Sequence, residues 1–121
     1  MTKGSLPPIL VVDDNEDNAE IIRQYLEIRG YPVTVAHNGD EALERFETVR
    51  PAVVLLDVMM PGRDGWELLL ELKRDRGTRE IPVVLCSVLD EPRLALSLGA
   101  AGYLHKPIDQ GQLVGALSRF R

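Results

Sequence analysis

Residues 52–57 read AVVLLD, five apolar residues that run straight into an aspartate. A strand with one wet face alternates apolar and polar residues, and this one does not, so it predicts a strand buried on both faces. Sheets of that kind are parallel and carry helices on each side. The same grammar recurs outward from this stretch. Ile9–Val12 is an apolar run closed by Asp13 and Asp14, Val33–Ala36 is rich in β-branched residues, and Pro82–Ser87 places its proline where a missing N–H does least harm. Tyr103–His105 completes five strands.

Helical periodicity fills the gaps. Asp17–Arg29 carries Ala19, Ile22 and Leu26 on one face before Gly30, and a second helix runs from about Asp40 to Val49 with Leu43 and Phe46 inward. Trp66–Arg76 aligns Leu69 and Leu72 and is expected to close near Gly77, residues 92–98 form a short helix before Gly99, and Asp109–Phe120 aligns Leu113, Leu117 and Phe120. Asp109 is placed to cap that last helix, with Gln112 three residues on. Alternating strands and helices imply a doubly wound α/β fold, a five-stranded parallel sheet with five helices. Residues 1–8, with Gly4, Pro7 and Pro8, are expected to form a flexible arm, and residues 9–121 the domain.

Composition narrows the classes of function. A chain of 121 residues with a formal net charge of −5 lacks the basic excess that nucleic acid or an anionic membrane would require. No apolar stretch is long enough to span a bilayer, and the single Cys86 fits a reducing, cytoplasmic setting. Cys86 itself reads as a small buried hydrophobe.

Ligands of open α/β sheets sit beyond the carboxyl ends of the strands. The residues there are Asp13 and Asp14 after the first strand, Asp57 after the third, Ser87 after the fourth and Lys106 after the fifth. Each alone has an ordinary role: two aspartates can cap a helix, an aspartate or serine can end a strand, and Lys106-Pro107 can make a turn. Their coincidence at one sheet edge is harder to explain that way. Two carboxylates brought to about 4 Å repel by roughly 4 kcal/mol at an effective dielectric near 20. Lys106 offers one compensating charge, and an open, all-oxygen site suits Mg²⁺ as the second.

The segments VVDDNEDN, LLDVMMPGRDGWELL and LGAAGYLHKPI, with the Ser87 strand end, resemble the receiver domain of bacterial response regulators. The resemblance runs from Ile9 to Phe120 and implies a flavodoxin-like sheet in the order 2-1-3-4-5. It also implies that Asp57 takes a phosphoryl group from a phosphohistidine of a histidine kinase or histidine phosphotransfer protein. Asp14, Asp57 and the backbone carbonyl of Met59 would ligate Mg²⁺ or Mn²⁺, with Asp13 acting through water. Lys106 and Ser87 would contact the phosphoryl group, Lys106-Pro107 matches a cis peptide that aims the lysine, and Tyr103 matches an aromatic switch coupled to Ser87. Such a domain is not a conventional enzyme, although it catalyses its own Mg²⁺-dependent phosphorylation and dephosphorylation. Its readout surface, residues 90–120, would contact an unidentified downstream protein or support a homodimer.

Two departures from the family pattern carry expectations of their own. Ser87 and Lys106 are 19 residues apart, whereas typical members carry about one more helical turn between them. The fourth helix is therefore expected to be short, as in receivers attached to hybrid histidine kinases. Val88 stands where the family has Ala or Gly, which implies restricted access. Met59 and Leu89 stand where relatives orient a hydrolytic water, which implies slow self-dephosphorylation. Three other classes fit less well. A haloacid dehalogenase-type phosphatase needs an acid at Met59, and nucleotide or flavin binding needs a glycine-rich loop where DDNED stands. A phosphorylation-independent docking module leaves Asp57, Ser87 and Lys106 without a task.

Overall fold

The computed structural model describes residues 6–59 and 64–120. Residues 60–63, within the segment LLDVMMPGRDGWELL, and the first five residues of the expected arm lie outside the described residues. Leu6 packs against the core, and the Pro8 carbonyl accepts a hydrogen bond of 2.9 Å from the Ala52 amide.

Five strands and five helices alternate: β1 (Ile9–Val12), α1 (Glu16–Ile28), β2 (Val33–Ala36), α2 (Gly39–Val49), β3 (Val53–Asp57), α3 (Gly65–Arg74), β4 (Val83–Ser87), α4 (Pro92–Ser97), β5 (Gly102–His105) and α5 (Gln110–Ser118). The strands are all parallel, in the order β2-β1-β3-β4-β5. Successive side chains point to opposite faces, so each apolar run feeds two cores at once. Leu10, Val12, Val54, Leu56, Val83 and Leu85 meet α2, α3 and α4 through Phe46, Leu68, Leu69, Leu72 and Ala95. Ile9, Val11, Val53, Leu55, Val84 and Leu104 meet α1 and α5 through Ala19, Leu26, Leu113 and Leu117. Each fully buried Leu or Ile contributes on the order of 2 kcal/mol, and that is why the strands need no polar alternation.

The helix ends follow local chemistry. Asn15, Asn38, Asp64 and Asp109 each accept a hydrogen bond from a backbone N–H three residues on, which satisfies an orphan donor of the first turn. α1 stops at Gly30, whose φ of 98° L side chains rarely adopt. α3 ends at Arg74, two residues before the expected Arg76. Asp75 leaves the helix with an extended ψ of 128°, its side chain accepts from the Gly77 amide at 2.9 Å, and the Lys73 ammonium donates to the carbonyls of Arg79 and Ile81. Those local bonds replace the last two helical residues expected before Gly77. The fourth helix is short, as expected: Pro92 starts it and six residues later it is over.

Candidate functional site

The site grows from the ends of β1, β3, β4 and β5. Val12 pairs with Leu56, so Asp13 leaves β1 level with Asp57 on β3. Asp57 pairs with Cys86, and Ser87 with His105, so Ser87 and then Lys106 lie at the same edge of the sheet. Asp13 and Asp57 are only 3% and 6% exposed, and Ser87 is fully buried, whereas Asp14 faces solvent.

Carboxylate oxygens of Asp13, Asp14 and Asp57 lie within 4.8 Å of one another. The Lys106 ammonium stands between two of them, 3.3 Å from Asp57 and 3.4 Å from Asp13. The remaining contacts are backbone donors: the Met59 amide donates to Asp57 at 3.3 Å and the Asn15 amide to Asp13 at 2.9 Å. Among the described residues the cluster thus holds three carboxylates, and the one ammonium beside it touches two of them. Burial, then the charge of Asp13, pushes the Asp57 carboxyl above the usual range, and Lys106 opposes that only in part. Burial works against the Lys106 ammonium, yet Asp13 and Asp57 outweigh it and raise its pKa. The Lys106 direction follows from the surrounding negative charge, whereas at Asp57 that charge adds to the larger effect of burial; an all-oxygen, acidic donor set fits a hard divalent cation.

Gly65 sets how closely α3 approaches this cluster. Its amide donates to the Val58 carbonyl at 2.8 Å, and a Cβ there would lie 2.4 Å from the Asp57 carbonyl oxygen. Asp64 and Glu67 form a reciprocal capping box that fixes the same helix start. Neither role was legible beforehand, although Asp-x-x-Glu ahead of a leucine run is a recognisable signature of the box.

On the far side, the Ser87 hydroxyl oxygen accepts from the Leu89 amide at 2.9 Å, which leaves its O–H free to donate. Tyr103 donates its hydroxyl to the Leu89 carbonyl and accepts from the Glu91 amide at 3.3 Å. Ser87 and Tyr103 are therefore linked through one residue, Leu89. The Lys106-Pro107 peptide is cis. Met59, Val88 and Leu89 are 57%, 59% and 39% exposed, an apolar rim. Burial pushes the Cys86 thiol up to about 12, so it is inert packing.

Beside Lys106 opens a groove of about 470 Å³ lined by Asn18, Ile21, Ile22, Val88, Pro107 and Ile108 as well as the lysine itself. Ile21 is 61% exposed there. Among the described residues no helix is long and apolar enough to cross a membrane.

A family model described as response regulator receiver domain matches residues 9–118. The chain is 43% identical over 119 residues to the response regulator PleD of Caulobacter vibrioides, a match covering 93% of this chain and 26% of PleD. It thus spans about a quarter of the curated relatives it matches. Among solved structures, the chemotaxis protein CheY4 of Vibrio cholerae superposes with a TM-score of 0.88 at 27% identity, covering 97% of this chain and all of that one. The receiver domain of a signal transduction histidine kinase from Syntrophus aciditrophicus gives 0.85 at 34% identity, over 94% and 89% of the two chains.

Proposed function

The chain belongs to the response regulator receiver domain family of two-component signalling, and from that premise we propose that Asp57 is its phosphoacceptor. What carries the reading is the Lys106 ammonium poised 3.3 Å from Asp57 in a cluster with more carboxylates than cations. An Asp57 carboxylate oxygen attacks the phosphorus of a phosphohistidine on a partner protein, the P–N bond breaks, and the imidazole leaves with that electron pair. Lys106 turns from Asp57 to the incoming phosphoryl oxygens, and the Ser87 hydroxyl donates to them. Asp14, Asp57 and the Met59 carbonyl, with Asp13 through water, are the residues that would hold Mg²⁺ or Mn²⁺. Such an ion neutralises charge that builds on the phosphoryl oxygens. The protein's share is positioning and electrostatics.

The phosphodonor docks in the groove beside Lys106. A helix carrying the phosphohistidine fits an apolar trough whose end is the site lysine, with Ile21, Ile22 and Ile108 as the surface it covers. The output follows from the Ser87–Leu89–Tyr103 link. Drawing Ser87 toward a phosphoryl group moves Leu89 and the hydroxyl that holds it, and so alters the face made by α4, β5 and α5.

The test is incubation with acetyl phosphate and Mg²⁺, read by intact-mass spectrometry. A single phosphate adduct is expected in the parent chain and none in Asp57→Ala. An adduct that survives the substitution overturns the assignment. The absence of any adduct, with a phosphohistidine donor as well, would make the chain a phosphorylation-independent docking module.

A further inference from the structure

On the far side of Tyr103 lies a recess of about 600 Å³ lined by Asp90, Tyr103, Leu104, His105 and Gln112. We propose that this recess receives an arginine side chain of the downstream protein. The proposal rests on the reading of the α4–β5–α5 face as the output side, and it adds the chemistry of what that face binds.

Charge and shape both point to a guanidinium. Among the described residues, the exposed Asp90 carboxylate has no hydrogen bond or ion pair, and no lysine or arginine lines the recess. Tyr103 and His105 are two residues apart on one strand, so both rings project from the same face of the sheet. The Tyr103 hydroxyl is occupied by the Leu89 carbonyl and the Glu91 amide, which holds its ring in place. Gln112, on the first turn of α5, adds a carboxamide acceptor. A planar guanidinium can pair with a carboxylate and lie on an aromatic face at the same time, which the compact, strongly hydrated lysine ammonium does less well. A purely apolar partner would bury Asp90 without a partner, and an acidic one would be repelled by it.

The recess is also wired to the site. Asp90 lies in the loop whose Leu89 amide donates to Ser87 and whose Leu89 carbonyl accepts from Tyr103. Moving Ser87 shifts the carboxylate against the two rings, so the phosphoryl group tunes the fit for the arginine.

Acetyl-arginine methylamide is the probe, titrated into the ¹⁵N-labelled full chain and followed by amide shifts, with the neutral isostere acetyl-citrulline methylamide as the comparison. Saturable shifts at Leu104, His105 and Gln112 are expected in the millimolar range. Asp90→Asn, a surface change that leaves the fold intact, is expected to weaken arginine binding about threefold, the scale of an exposed ion pair, and citrulline to bind at least that much more weakly. No saturable shift by about 50 mM, equal binding of citrulline, or an unchanged Asp90→Asn titration would each overturn the proposal. Running the titration also on Asp57→Ala separates the two readings. That variant lacks the proposed acceptor yet keeps the recess, so the probe result stands whether or not Asp57 is the acceptor.

Discussion

Asp57 is held where a carboxylate is costly. Burial and the neighbouring Asp13 raise its pKa in the folded state. A carboxyl whose folded pKa is raised contributes most below its unfolded value, and that contribution is lost as pH rises through the folded one. At neutral pH its charge therefore opposes folding. Asp57→Asn should raise the urea-unfolding free energy at pH 7 by roughly 1 kcal/mol in Mg²⁺-free buffer, and lower stability would contradict this. Cys86 obeys the same sign at higher pH. Its thiol is pushed up to about 12 from an ordinary value of 9.0, so stability should be intact below pH 9 and fall between there and pH 12. The slope approaches about 1.4 kcal/mol per pH unit, and Cys86→Ala should flatten it. Gly65 is the strictest backbone position: the 2.4 Å approach of a Cβ to the Asp57 carbonyl leaves no room for Ala. Gly65→Ala should cost about 2–3 kcal/mol by chemical denaturation and shift α3 relative to Asp57.

Among elements, the opposite case is Gly115 in α5, where an added Cβ would meet nothing within 4 Å. Its glycine has only the helix-propensity penalty, so Gly115→Ala should stabilise the chain by up to about 1 kcal/mol in the same assay. The contrast between these two glycines also marks what could be read from sequence. The strands were legible because AVVLL and ILVV admit one explanation, and the parallel topology then dictates that Asp13, Asp57, Ser87 and Lys106 share an edge. The shortened α4 was legible from the Ser87–Lys106 spacing set against that of the family the chain resembles. Gly65 was not, because its constraint comes from α3 crossing the end of β3, a distance no local pattern encodes. Asn15 was passed over as a cap for α1, since the aspartates before it have the same capping chemistry and only the backbone decides which residue stands at the boundary. The end of α3 differs from expectation by two residues for a similar reason: Asp75 and Lys73 offer local bonds that compete with continuing the helix. The groove beside Lys106 draws on α1 and on the loops after β4 and β5, so no single segment announces it.

At the scale of the whole molecule, a phosphorylated receiver is a timer, and its period depends on how readily water reaches the aspartyl phosphate in line. Removal of the phosphoryl group by water is faster when a polar side chain orients the nucleophile, a contribution of at least tenfold for positioned groups. Among the described residues, the apolar side chains at the rim are Met59, Val88 and Leu89, all substantially exposed and none able to hold a water by a strong hydrogen bond. Leu89 is further committed through both its amide and its carbonyl, to Ser87 and Tyr103. The phosphorylated state should therefore persist for minutes or longer in Mg²⁺ at neutral pH, followed by intact mass after removal of the phosphodonor. Met59→Asn places an amide at the rim without touching the Met59 backbone carbonyl, and it should shorten the lifetime by about tenfold. Loss of the phosphoryl group from the parent chain within seconds would contradict the argument, as would an unchanged lifetime in Met59→Asn. A long lifetime also suits the proposed switch from Ser87 to Tyr103, because a face that changed by population shift would signal only while a phosphoryl group held Ser87 in place.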